Sequence, residues 1–283
     1  MKHLISEILV IALCAVCSGV QTVFEIGEFA EVKQDWLKNE VGLLLENGVP
    51  SHDTIGRVLE MINPKQFQSL FISWIEQSLN IPEGSYIPID GKTLRGSANE
   101  QSRGIHLISA FAHEAGVVLG QIKCAEKSNE ITAIPELLNL LKLKQSIITI
   151  DAFVCQKEIA EEITKKKCDY VLVKNTVNCK DKQYSEKRYF ISSIEDINEF
   201  VTAVRTHWTI ENTLHWPLDV IFRDDECRIR EKNTAENIVI LRRICFNRMK
   251  MYKNGKTLKR KKMLCTFDDF FRFNVLFREI LHA

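Results

Sequence analysis

Tyr86-Ile87-Pro88-Ile89-Asp90-Gly91-Lys92-Thr93-Leu94-Arg95-Gly96 is the stretch on which the fold turns. Its apolar, β-branched start reads as a buried strand, and that strand ends on an acid. A second run of the same kind, Ile147-Ile148-Thr149-Ile150, ends on Asp151. Working outward, Ile105–Phe111 and Val117–Ile122 read as strands separated by the turn-like His113-Glu114-Ala115-Gly116. Periodicity then predicts a helix over 131–143, the strand 147–150, a helix near 156–166 and a strand over 170–173. A three-strand meander followed by helix, strand, helix and strand describes an α/β fold, a mixed sheet flanked by helices.

Upstream, residues 1–80 read as a small all-helical domain. Phe67, Leu70, Phe71, Trp74, Ile75 and Leu79 recur at helical spacing, and Pro64 suits the first turn of their helix. Ser51-His52-Asp53 offers capping residues for the helix before it. A linker over 80–85 leads into a second, larger region spanning 85–283. Beyond Lys174 a polar stretch, 175–187, precedes a short strand near 188–191. Helices follow around 195–205, through Glu211 and over 234–252, then the basic run Lys256–Lys262 and a last apolar helix.

A chain of 283 residues with 45% apolar content can bury a substantial core. Its net charge of +1 hides an asymmetry, since from Ile221 onward sixteen Lys/Arg face eight Asp/Glu. A basic C-terminal third suits a polyanionic partner, although a solvated surface explains the same charges. Nine cysteines scattered without a framework fit a reducing compartment such as the cytoplasm. Cys14 and Cys17 have redox spacing but lie inside the apolar run Ile8–Gly19, which imitates a signal peptide. That run is short for a bilayer and continues into another helix, so we read it as a core helix and expect no membrane association.

Asp90 and Asp151 at strand ends, with Glu211 inside His207-Trp208-Thr209-Ile210-Glu211-Asn212, are the candidate metal ligands. A carboxylate at the end of a buried strand is costly unless its charge is compensated. Three clustered acids would also raise one another's pKa. Divalent ions held by such acids clamp a scissile phosphate and activate an oxygen nucleophile, which points to phosphodiester chemistry.

Three longer segments sharpen this: Asp90–Ser97, Glu126–Leu138 and His207–Val220. With Arg228-Ile229-Arg230, Ala235-Glu236-Asn237, Leu241-Arg242-Arg243 and the N-terminal Pro50–Thr54, they resemble transposases of the ISAs1 group, within the IS4-like DDE superfamily. The resemblance covers nearly the whole chain. It implies a ribonuclease-H-like core that cuts and joins DNA at insertion-sequence ends. Asp90, Asp151 and Glu211 would hold Mg²⁺ or Mn²⁺, two ions in all. Water would attack first, and the released 3′-hydroxyl would then attack target DNA. The implied partners are end and target DNA, and a second copy of the chain, because transposases generally act as oligomers.

His207 stands where the family commonly has an Arg near the cut, and Arg205 is a candidate to supply that charge. Lys92, Arg95, Arg228, Arg230, Lys259 and Arg260 are the other candidate DNA contacts. Glu130 and Asn129 read as second-layer groups or as helix caps. Asp219, Asp224 and Asp225 read as partners of Arg223, Arg228 and Arg230, while His215 and Trp216 read as packing. Where the family has a strand-rich insertion between the second Asp and the Glu, this chain passes from Asn175-Thr176-Val177 to Lys187–Ser193 within about fifteen residues. Most of the insertion is expected to be missing, and Met1 falls where a family helix is already under way. Two readings therefore stand, a compact active transposase and an inactive remnant that only binds DNA.

Overall fold

The computed structural model describes residues 3–98, 104–124, 130–151, 156–180 and 183–278. By contacts the chain divides into two units. One comprises Met1–Phe71, Leu94–Ser102 and Pro217–Ala283, the other Ile72–Thr93 and Arg103–Trp216.

The second unit is built on a six-stranded sheet. Its strands are β1 (Tyr86–Leu94), β2 (Ile105–Ala112), β3 (Val117–Lys123), β4 (Ile147–Asp151), β5 (Asp169–Lys180) and β6 (Gln183–Ser192), in the order β3-β2-β1-β4-β5-β6. β1, β4 and β5 run parallel, with Ile89 opposite Ile150 and Ile150 opposite Leu172. Four consecutive buried residues at Ile147–Ile150 follow from this central position, because a parallel strand is covered on both faces. β2 and β3 form an antiparallel hairpin whose turn ends at Gly116, at φ 69°. That left-handed conformation is one glycine adopts without a Cβ penalty.

Helices α6 (Glu130–Leu140), α7 (Lys157–Lys165) and α8 (Ile197–Ile210) cover this sheet. Ala203 of α8 packs on Ile147 and Val171, flanked by Tyr86, Phe190, Ile194, Phe200 and Val204. The Asp196 side chain accepts from the Glu199 N–H and starts α8. The order is that of a ribonuclease-H-like core, and the predicted elements recur within a few residues. The polar stretch 175–187 differs: β5 and β6 pair from Val171–Ser192 out to Lys180–Gln183 as one long hairpin. Backbone hydrogen bonds alone suffice for such a ladder, which is why an apolar pattern does not announce it.

The first unit is helical. It contains α1 (Ile5–Cys17), α2 (Val23–Val32), α3 (Gln34–Asn39), α4 (His52–Met61) and the start of α5 (Pro64–Ser78). From the C-terminal part come α10 (Lys232–Met251), α11 (Leu258–Phe267) and α12 (Asp269–Phe277); the short α9 (Trp216–Val220) begins at the boundary. α1 buries Ile8, Ile11, Ala12 and Cys14–Cys17, so its apolar run is core. Among the described residues no helix is long and apolar enough to cross a membrane. Asn237 of α10 donates to the Leu59 and Ile62 carbonyls at the end of α4.

The basic run 256–262 is divided by the fold. Lys259 and Arg260 are exposed. Lys261 and Lys262 are buried, and they donate to the Met249 and Tyr252 carbonyls and to the Val16 carbonyl. They cap the ends of α10 and α1, where unpaired carbonyls favour a cation. Only the first half of the run is thus available to a phosphate backbone.

Candidate metal centre

Two elements of the second unit bring the acids together. β1 carries Asp90 beside Gly91, whose N–H donates to Asp90 Oδ1 at 2.8 Å. α8 passes into a π-helical segment, Glu211–His215. The wider turn of a π segment is a recurrent device at functional sites. Here it sets Glu211 and His215 on one side: His215 Nδ1 lies 3.1 Å from Glu211 Oε2 and 3.5 Å from Asp90 Oδ2. The donor atoms of Asp90, Glu211 and His215 all fall within 4.8 Å of one another, the one such metal-capable group among the described residues.

Asp151 ends β4 one step beyond the Ile89–Ile150 pair, so it neighbours Asp90 across the parallel ladder. Adjacent strands lie about 4.8 Å apart, which places Asp151 at the end of β4 beside Asp90, although β1 itself runs on to Leu94. Asp151 is nevertheless outside the close group formed by Asp90, Glu211 and His215.

Burial pushes the Asp90 carboxyl above the usual carboxylate range, against the pull of His215, the Gly91 N–H and His207. An acid held in this condition favours a positive charge beside it, and carboxylate and imidazole donors at this spacing suit a divalent ion. The residues present therefore fit the metal that the chemistry calls for.

His207, expected as a DNA contact, is buried among the described residues. It is 3% exposed and meets Thr149 Oγ1 at 3.0 Å through Nδ1, beneath Asp90 and Asp151. Burial lowers its pKa and favours the neutral ring, although both acids pull the other way. Arg205, two residues earlier, is exposed. His215, expected to pack, is buried but touches both acids, whereas Trp216 is half exposed.

A further polar chain lies behind β1. Glu130 Oε1 meets His106 Nε2 at 2.7 Å, and His106 Nδ1 meets Thr93 Oγ1 at 2.7 Å. A Cβ on Gly91 would overlap the Glu130 carboxylate and His106 Nε2, so those side chains would have to shift to admit one. Glu130 thus joins the surroundings of Asp90, while Asn129 and the rest of Glu126–Asn129 lie outside the described residues. His106 had no flag in the sequence, being one histidine in an apolar strand.

In the first unit the acids after the Glu helix choose partners other than those expected. Asp224 binds Arg242 and Arg243, and Asp225 receives the Arg95 N–H at 3.3 Å with the Arg95 guanidinium 3.9 Å away. Arg223 pairs with Glu226, and Arg230 donates to the Ala98 carbonyl. Arg95, Arg228 and Arg230 remain exposed and Lys92 is partly so.

Comparison with known proteins gives these observations a family. Residues 82–248 match the family described as "Transposase DDE domain", and residues 1–75 match "DDE_Tnp_1-associated". Over 340 aligned positions the chain is 37% identical to "Putative transposase YncI" of Escherichia coli O157:H7, covering 93% of this chain and 87% of that one. It is 36% identical over 340 positions to "H repeat-associated putative transposase YhhI" of Escherichia coli strain K12, covering 92% and 89%. A cryo-EM structure of a piggyBac transposase synaptic complex with hairpin DNA matches at a TM-score of 0.45 and 11% identity, over 95% of this chain and 72% of that one.

Proposed function

The chain belongs to the transposase DDE domain family, and on that premise we propose that it cuts DNA and transfers strands at the ends of an insertion sequence, as an enzyme of the ISAs1 type. The observation that carries this reading is the meeting of Asp90, midway along β1, with Glu211 from the π segment, inside the matched span. Mg²⁺ or Mn²⁺, when bound, neutralises charge on the scissile phosphate and favours the attacking oxygen. Asp90 would hold such an ion from the sheet and Glu211 from the helix, and Asp151, neighbouring Asp90 on β4, would supply the third carboxylate. His207, buried beside Asp90 and Asp151, braces β4 through its contact with Thr149.

In this reading residues 1–80 form the family's helical N-terminal domain and 85–283 the catalytic domain. Lys92, Arg95, Arg205, Arg228, Arg230, Lys259 and Arg260 contact end or target DNA, and two copies of the chain assemble on it. The test is strand transfer on cognate end DNA with Mg²⁺ or Mn²⁺, comparing wild type with Asp151→Asn. Loss of both cleavage and joining in the variant is expected; activity that survives would sink the assignment.

A second reading is an inactive remnant that only binds DNA. It draws on length: the 340-position alignments exceed the 283 residues of this chain, as they would if the insertion between Asp151 and Glu211 were shortened. Steeply salt-dependent DNA binding with no cleavage under either metal would select it.

A further inference from the structure

We propose that His215 is itself a ligand, so that the centre grips its divalent ion through Asp90, Glu211 and His215 Nδ1 as a mixed oxygen–nitrogen set and favours Mn²⁺ over Mg²⁺. This rests on the metal-dependent reading above and adds the chemistry of one donor. His215 is 4% exposed, and its Nδ1 faces both carboxylates, 3.1 Å from Glu211 and 3.5 Å from Asp90. Donor atoms cis to one another on an octahedral ion, each about 2.1 Å from it, are about 3 Å apart, so both spacings suit one shared ion.

The backbone dictates this arrangement. The π segment begins at Glu211 and ends at His215, which turns the two side chains toward Asp90 together. Nε2 of His215 is buried with no hydrogen-bond partner among the described residues. No bond there at Nε2 fixes the tautomer, which is left to be set at Nδ1, by the acids without metal and by the ion with it. Both ions take oxygen donors, but Mn²⁺ accepts a nitrogen donor more readily than Mg²⁺, which dehydrates reluctantly and keeps to oxygen and water.

The experiment is electron spin-echo spectroscopy of Mn²⁺ bound to the full chain, with Mg²⁺ competition. Wild type should show nitrogen modulation that changes when histidine is ¹⁵N-labelled. His215→Gln should lose the modulation and weaken Mn²⁺ binding by about tenfold or more, at least what losing an outer-shell partner costs; Mg²⁺ binding should fall less. His215→Asn serves as the second variant should the Gln variant not fold. Mn²⁺ bound without histidine nitrogen coupling, or coupling that persists in the variants, overturns the ligand assignment and leaves the broader reading standing. A wild-type chain that binds no Mn²⁺ overturns both.

Discussion

Asp224 shows no exposed surface and faces two guanidiniums, Arg242 Nη1 at 3.2 Å and Arg243 Nη1 at 2.6 Å. Gln21 Oε1 takes a further bond from Arg242 at 2.9 Å. A buried acid between two buried cations is a weak net stabiliser, yet removing it strands two charges. Asp224→Ala is therefore expected to lower unfolding stability by about 3–5 kcal/mol. Urea denaturation measures this, and a loss under about 1 kcal/mol would mean the arginines find other counter-charges. The same residue marks a limit of sequence reading. Arg223, Arg228 and Arg230 are nearest along the chain, but a pairing set by burial draws on α10 instead. Asp90 and Glu211 were legible because each ends or interrupts an apolar pattern at an unlikely place for charge. His215 was not, since a histidine between Leu214 and Trp216 looks like packing. Its one signal is its position four residues after Glu211.

Among the elements, α2 shows most directly how local sequence sets structure. Thr22 Oγ1 accepts from the Glu25 N–H, and Glu25 Oε2 accepts from the Gln21 and Thr22 N–H groups at 2.8 and 3.0 Å. This reciprocal cap satisfies donors that a helix start leaves open. Thr22→Ala should cost about 1 kcal/mol. The Gln21 N–H, foremost, holds the Glu25 carboxyl below its usual range, against some desolvation. A depressed folded-state pKa gives stability that is present above the unfolded value and lost as pH falls through the folded one. Glu25→Gln should accordingly flatten the acid limb of the stability–pH curve below about pH 4.3; an unchanged limb would exclude the carboxylate's part in the cap. Elements with such signals, or with β-branched runs such as Ile147–Ile150, were readable at sequence level. The β5–β6 hairpin and the π segment were not. One is a ladder of backbone bonds through polar sequence, and the other is a change of helical register without a residue signature.

At the scale of the whole molecule the question is which of the sixteen cations after Ile221 can meet a polyanion. The fold divides them. Arg242, Arg243, Lys261, Lys262 and Arg272 are buried, bound to Asp224, to helix-end carbonyls or, for Arg272, stacked 4.2 Å over the Trp36 ring. Arg228, Arg230, Lys259 and Arg260 stay exposed. Net charge alone therefore overstates the surface offered to a polyanion, and the exposed cations of the basic run are Lys259 and Arg260. If the proposed function holds, binding to end DNA weakens with salt, because neutralised phosphates release counterions. Lys259→Ala with Arg260→Ala should flatten the log–log salt slope by about 0.9 for each phosphate no longer neutralised, with little change in stability. Lys261→Ala with Lys262→Ala should do the reverse, lowering stability while the folded fraction keeps its slope, because those ammonium groups hold the ends of α10 and α1. Fluorescence anisotropy across a salt series, paired with thermal melts, separates the two effects. An unchanged slope in the first pair would place the DNA path elsewhere on the surface and leave Arg228 and Arg230 as the cations to test next.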